Sequence, residues 1–182
     1  MSMQITVGGI AMGTPQFSEV RIEASPIPGQ FKLTRPALQF DATALTTGIH
    51  DYGLDVDCYF PISRRSATVN GQVIIHNEST SEFGAGWTLT GLQRARTAAD
   101  GRVLLTLGEA NSLTYTPIDA TNFDSPAGDY STMVRQADGT LLRTTKTGIE
   151  FRFDLEGRLA TQTDRNGNVT TYQYNTDGQI QR

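Results

Sequence analysis

Hydrophobic and polar residues alternate in short segments along this chain, and turn sequences separate the segments. In the C-terminal part, the turn candidates centre on Gly157, Gly167 and Gly178 at nearly regular spacing. Alternation places successive side chains on opposite faces of a β-strand. A regular series of turns between such segments predicts consecutive antiparallel hairpins, each leaving a face for the next to cover.

The turn at Asn166-Gly167 predicts the register of one hairpin. Asparagine and glycine are the residues that best tolerate the positive φ angles of a two-residue hairpin turn. With such a turn, Thr161 lies opposite Tyr172, and Leu159 lies opposite Tyr174.

Three-residue loops with a left-handed glycine are expected at the two neighbouring turns, at Gly157 and Gly178. They place Phe153 opposite Leu159, Phe151 opposite Thr161, and Ile180 opposite Tyr174. The turn assignments together predict one shared apolar face, while Arg152 and Gln173 lie on the other. The members of this face are Phe151, Phe153, Leu159, Tyr172, Tyr174 and Ile180.

Several motifs in the last hundred residues resemble the entry into bacterial RHS/YD-repeat proteins, the family of teneurin-like shells and of the cages of toxin complexes. The matching stretches are Glu82-Phe83-Gly84-Ala85-Gly86-Trp87-Thr88-Leu89, Asp100-Gly101-Arg102-Val103-Leu104-Leu105, Ser125-Pro126-Ala127-Gly128-Asp129-Tyr130, Gly157-Arg158-Leu159, Asp164-Arg165-Asn166-Gly167-Asn168 and Tyr172-Gln173-Tyr174-Asn175. The tyrosine-aspartate pair that names the repeat is Tyr174-Asn175 here. Asparagine suits that turn position nearly as well as aspartate.

The resemblance implies a non-enzymatic scaffold or assembly subunit, equivalent to the opening segment of an RHS/YD shell. It favours an extracellular or cell-surface location, although the N-terminal sequence MSMQITVGGIAMG lacks the features of a signal peptide. The self-cleaving aspartate motif that closes such shells is missing, so neither a processing protease nor a toxin payload is expected. The expected partners are proteins, either further repeats or other copies of the chain.

Residues 1–82 are predicted to form a separate small domain. Strand candidates are Gln4 to Val7, Val20 to Ala24, Phe31 to Leu33, Ala37 to Phe40, Tyr52 to Phe60 and Ala67 to His76. Short strands at this spacing indicate an immunoglobulin-like or fibronectin-like β-sandwich. The predicted fold is therefore all-β, with a sandwich in residues 1–82 followed by a glycine-tryptophan plug and YD-type hairpins in residues 83–182. Further turns are expected at Asp100-Gly101, Asp138-Gly139 and Thr147-Gly148.

Trp87 is the single tryptophan, and it is bracketed by Gly84, Gly86 and Gly91. A large aromatic between glycines typically wedges two packed layers together, so Trp87 is predicted to be a buried junction plug. The alternative is a carbohydrate-binding or receptor-binding surface in which the ring is exposed. Such a surface would use Trp87, Tyr115, Tyr130 or the loop from Pro117 to Asp129, which is predicted to be irregular.

Composition and charge exclude several classes of partner. Hydrophobic residues make up 37% of the 182-residue chain, the net charge is −4, and no basic stripe is present. These values argue against nucleic acid or an anionic membrane as the main partner. No apolar run is long enough to span a bilayer, and the lone Cys58 excludes an internal disulfide.

Catalytic and metal sites are not expected. Asp55-Val56-Asp57 resembles a DxD metal pair, but nothing nearby resembles a nucleotide-binding fold. Asp164, Asn166 and Asn168 resemble the start of a calcium loop, whose glycine and final glutamate positions do not match. His50 and His76 lie in no nucleophile motif, so no cofactor is predicted.

The segment from Gln179 to Arg182 is expected to end in an unpaired strand. Such an edge is either blunted, paired with another molecule, or the place where a longer natural chain was cut. Pairing between molecules by strand addition would give a dimer or a fibre.

Overall fold

The computed structural model describes residues 1–17, 37–81, 83–108 and 111–181. The described residues form antiparallel strands and contain no helix, which confirms the all-β prediction. They divide into two compact units, Met1–Ile75 and His76–Arg182. The strand candidates Val20 to Ala24 and Phe31 to Leu33 lie outside the described residues.

The first unit contains one antiparallel sheet in its described residues. Its strands are β1 (Ser2–Val7), β2 (Ile10–Ala11), β3 (Gln16–Phe17), β4 (Gly48–Phe60) and β5 (Ser63–Ile75). The order is β2-β1-β4-β5, with β3 also paired to β1. The strand candidates that begin at Gln4, Tyr52 and Ala67 are confirmed, whereas the second layer of the sandwich stays a prediction.

The predicted strand from Ala37 to Phe40 is wrong, because this segment is irregular. Phe40 packs instead beside Leu45 on a small core that includes Val7 and Ile75. A turn in which the Leu45 N–H donates to the carbonyl of Ala42 brings these side chains together. The segment therefore covers the sheet as a loop.

The second unit contains a nine-stranded antiparallel sheet in which the spatial order of the strands follows the chain. Its strands are β6 (Arg94–Thr97), β7 (Val103–Thr106), β8 (Ser112–Pro117), β9 (Asn122–Asp124), β10 (Thr132–Arg135), β11 (Leu141–Thr144), β12 (Glu150–Phe153), β13 (Leu159–Thr163) and β14 (Val169–Thr171). The prediction of an irregular loop from Pro117 to Asp129 is wrong in part, because β9 lies within it. This meander is the predicted ladder of hairpins.

Six loops of this sheet share one geometry. Each closes with two backbone hydrogen bonds and carries a glycine with φ between 75° and 86° at its fourth position. The six glycines are Gly101, Gly139, Gly148, Gly157, Gly167 and Gly178, and all lie at predicted turns. Glycine, which has no Cβ, adopts this left-handed conformation without the strain that most other residues incur.

The two-residue turn predicted at Asn166-Gly167 is wrong, because the loop there has three residues. The Asp164 N–H donates to the carbonyl of Asn168 over 3.0 Å. The Asp164 carboxylate accepts the N–H groups of Asn166 and Asn168 at 2.8 and 2.9 Å, which holds the longer loop closed. Thr161 consequently lies opposite Thr171 instead of Tyr172.

The adjacent hairpin contains a β-bulge that the sequence reading missed. Phe153 lies opposite Leu159 as predicted, but the register then shifts, and Phe151 lies opposite Gln162 instead of Thr161. The bridge between Tyr174 and Ile180 has the predicted register. Phe151, Phe153 and Leu159 still reach the core, and Tyr172 packs against it.

The sheet curls until its first strand meets the loop between β12 and β13. The Ala95 N–H of β6 donates to the carbonyl of Gly157 over 2.8 Å, and Arg94 forms a bridge with Arg158. A Cβ atom at Gly157 would lie 1.7 Å from the carbonyl oxygen of Ala95. Glycine is therefore required at position 157 for the sheet to close.

Candidate functional site

A buried polar cluster lies within the curled sheet. Tyr115 has no exposed surface, because it lies opposite the buried Val103 on the inner face. Its hydroxyl lies 2.7 Å from a carboxylate oxygen of Asp129 and 2.6 Å from Oγ of Ser131. Tyr115 is thus inaccessible to ligands, and the prediction that it contacts one is wrong.

Arg143 is the cation of this cluster. Its Nε lies 2.8 Å from the Tyr115 hydroxyl, and its Nη1 lies 3.3 Å from the side-chain oxygen of Gln93. Its Nη2 lies 3.4 Å from a carboxylate oxygen of Asp129. The guanidinium carbon lies 5.7 Å from the centre of the Phe151 ring. The cluster joins β8, β11 and the two segments that carry Gln93 and Asp129.

The protonation states of the cluster follow from its surroundings. Burial raises the pKa of Tyr115 above its usual value, and this effect outweighs the opposing contacts with Ser131 and Arg143. Burial alone would raise the pKa of Asp129, but hydrogen bonds from Tyr115 and Ser131 and the charge of Arg143 lower it. The aspartate anion and the arginine cation therefore neutralise one another inside the sheet, and the neutral tyrosine hydroxyl bridges them by hydrogen bonds.

Sequence reasoning missed Arg143, although its position carried a signal. Leu141 and Arg143 alternate on β11, so both face the core. An arginine on the inner face of a strand requires partners that satisfy its charge. Asp129, quoted only as part of a family motif, is the carboxylate that meets this requirement.

Trp87 lies on the surface, with 70% of its area exposed. The prediction of a buried junction plug is therefore wrong. Successive turns hold the segment: the N–H groups of Ser81, Gly84 and Trp87 donate to the carbonyls of Glu78, Ser81 and Gly84, respectively. The left-handed Gly84 and Gly86 serve these turns, and the indole points outward from a hydrogen-bonded base.

Tyr130 is the other exposed aromatic among the predicted ligand contacts, with 73% of its area accessible. The Lys146 ammonium lies 4.7 Å from the centre of its ring, a cation–π distance. No contact between Tyr130 and Trp87 is observed. The two exposed rings remain separate candidates for ligand contact.

The strand β14 forms one end of the nine-stranded sheet. The Tyr172 N–H, directly after β14, donates to the carbonyl of Ala160 on the partner strand β13 over 2.9 Å. Because inward and outward groups alternate along an antiparallel strand, Val169 and Thr171 direct their backbone groups away from β13. Both residues are exposed, so β14 offers a short open edge.

The remaining candidate residues for catalysis or metal binding are not brought together into a site in the described part of the chain. Within it, no group of three or more His, Cys, Asp or Glu side chains is arranged to hold a metal ion. Asp55 and Asp57 accept hydrogen bonds from Thr68 and Ser66, and His50 contacts the carbonyl of Thr46. No helix that could cross a bilayer occurs in this part of the chain.

Residues 153–182 match the family model described as RHS Repeat. The matched segment begins at the last residue of β12 and includes the loops at Gly157, Gly167 and Gly178. No curated protein and no solved structure matches the chain. Within residues 153–182, the match confirms the resemblance to RHS/YD-repeat proteins that the sequence motifs indicated.

Proposed function

We propose that this chain is a non-enzymatic structural scaffold of the RHS/YD-repeat type that extends by adding a strand to β14. The observation that carries the proposal is the curled sheet, whose β6 end bonds to Gly157 while its β14 end stays open. The buried ionisable groups of the polar cluster contact one another, which suits a structural role. An extracellular or cell-surface location is part of the proposal.

Strand addition requires backbone groups that face outward from β14. The outward groups of Val169 and Thr171 supply them, and the Gln181 N–H already donates to the outward carbonyl of Gln173 over 2.8 Å. This bond sets the antiparallel register in which an added strand would continue along β14. The added strand would come from a further repeat or from another copy of the chain.

A Thr171→Pro substitution tests this edge. Proline removes the outward N–H without removing a bond to β13. A fluorescent peptide of residues 169–181 should bind the wild-type protein, and binding should weaken about tenfold in the variant, as measured by fluorescence anisotropy. Thr171→Ala, which keeps the N–H, should bind like wild type. Equal binding by all three proteins would refute strand addition at β14.

A second candidate function, a carbohydrate-binding or receptor-binding surface, is favoured by the exposure of Trp87. An exposed indole on a hydrogen-bonded backbone offers a flat apolar face of the kind that stacks on sugar rings or fills a protein pocket. Acrylamide should quench the single tryptophan strongly, and a soluble glucan oligosaccharide that binds the ring should reduce that quenching. An unchanged quenching constant at millimolar oligosaccharide would remove the glucan from consideration.

A further inference from the structure

The outer edge of β5 is the longest strand edge in the described residues. The strand has 13 residues and ends the sheet order of the first unit. Its first eight residues, Ser63 to Asn70, are all exposed. An exposed edge of this length is a template for pairing with another chain.

The register shows which backbone groups face outward from β5. The Gly8 N–H donates to the carbonyl of Asp51, so odd-numbered residues of β4 bond toward β1. Even-numbered residues of β4 therefore bond to β5. Their partners are the odd-numbered residues of β5, as in the pair of Leu54 and Val69. The outward groups of β5 belong to Arg64, Ser66, Thr68, Asn70, Gln72 and Ile74.

Cross-strand hydrogen bonds hold the side chains of these outward residues in place. Gln72 donates to Asp51 over 2.7 Å, Thr68 donates to Asp55 over 2.6 Å, and Ser66 donates to Asp57 over 2.6 Å. Such bonds fix the strand in an extended form. An edge that is already ordered loses less conformational entropy on pairing.

In the described residues, the opposite end of the same sheet is blunted. The strands β2 and β3 that lie there have two residues each. Very short edge strands are a common means of preventing edge pairing. Growth from β5 of one molecule onto β2 or β3 of the next is thus disfavoured, which favours an arrangement that joins β5 to β5.

Two β5 strands fit one another in antiparallel register. When all 13 residues overlap, Val69 of each copy lies opposite Val69 of the other, at the two-fold axis. Val69 is 51% exposed in the single chain, so pairing would cover an apolar side chain. In this register Arg64 lies opposite Ile74, which keeps the arginines of the two copies at opposite ends.

We propose that two copies of this chain associate through their β5 edges into a two-fold dimer with a continuous sheet. The proposal goes beyond the scaffold role, since it concerns a different unit and a different edge from β14. It assigns the occupant of the edge as a second copy of the chain.

The test places charges at the two-fold axis. Val69→Lys and Val69→Glu each set like charges directly opposite one another, which should weaken dimerisation of the full chain about tenfold or more. An equimolar mixture of the two variants should restore the dimer, because opposite charges then meet. Val69→Thr, a neutral β-branched residue, should dimerise nearly as well as wild type. Sedimentation velocity over a wide concentration range measures all five samples.

Three outcomes would overturn the proposal. A wild-type protein that stays monomeric at all concentrations shows that β5 is not a self-pairing edge. If neither charged variant weakens the dimer, its interface does not include the β5 edge. If the protein forms assemblies larger than a dimer, the association is not two-fold. Circular dichroism of each variant checks that the fold is retained. None of these results alters peptide binding at β14, so the two proposals fail independently.

Discussion

A single residue, Arg143, determines how the interior of the second unit is organised. Its side chain is 9% exposed and contacts Asp129, and its guanidinium also lies close to Tyr115, Gln93 and Phe151. Removing one member of a buried charged network leaves polar groups without partners, which costs more than the bond itself. The cluster therefore makes the packing of this sheet dependent on a few polar atoms.

The Tyr115→Phe substitution should measure this dependence. It removes the hydroxyl that contacts Arg143 and Asp129, and we expect the free energy of unfolding to fall by about 1–3 kcal/mol. Chemical denaturation followed by circular dichroism measures the change. Tyr130→Phe is the matched control, because that ring is exposed, and its effect should stay within about 0.5 kcal/mol. Equal effects of the two substitutions would mean that the cluster does not stabilise the fold.

The interior position of Tyr115 could have been predicted from the sequence. Leu113 and Tyr115 alternate with Thr114 and Thr116 on β8, which identifies the inner face. The exposure of Trp87 could not have been predicted, because neighbouring glycines suit both a close-packed wedge and a series of tight turns. Hydrogen bonds across the whole segment decide between them.

At the scale of elements, the loops repeat one design with different closing residues. Asp154, Asp164 and Asn175 occupy the first position of their loops and accept N–H groups two and four residues later. Hydrogen bonds that Asn168 donates to the Asp164 carboxylate lower the pKa of Asp164. Because the folded-state pKa is lowered, the stabilisation is present above the pKa of the unfolded chain and is lost as the pH falls through the lowered value.

The turns were predictable because glycine at a left-handed position is a local requirement. The register was predictable only in part, since the bulge beside Phe153 depends on packing between strands. The contact of Gly157 with Ala95 joins residues far apart in the sequence, and no local pattern indicates it. The curl of the sheet was thus beyond sequence reasoning.

A Gly157→Ala substitution should open this contact. The new Cβ would clash with the carbonyl of Ala95, and the residue would also keep a strained positive φ, so we expect a loss of about 2–4 kcal/mol of stability. Thermal unfolding measures the effect. Gly167→Ala is the control, because Gly167 has a similar φ but nothing within 4 Å of the added Cβ. It should cost about 1 kcal/mol, and an equal loss in both variants would exclude a special role for the closure.

At the scale of the whole molecule, the described residues of each unit include one protected sheet end and one exposed sheet end. In the second unit the loop at Gly157 covers β6 and β14 is open, whereas in the first unit two short strands lie opposite the long edge of β5. Open edges on a scaffold are sites of association. The two proposed associations would each use one of these edges.

Hydrogen exchange of individual amides, followed by NMR at a concentration where the protein is monomeric, tests the central claim most directly. The claim is that the curled sheet is closed at β6 and open at β14. We predict slow exchange for the amides of Ala95 and Tyr172, which donate to Gly157 and Ala160, and fast exchange for Val169 and Thr171. Fast exchange at Ala95, or protection of Thr171 equal to that of Tyr172, would contradict the account.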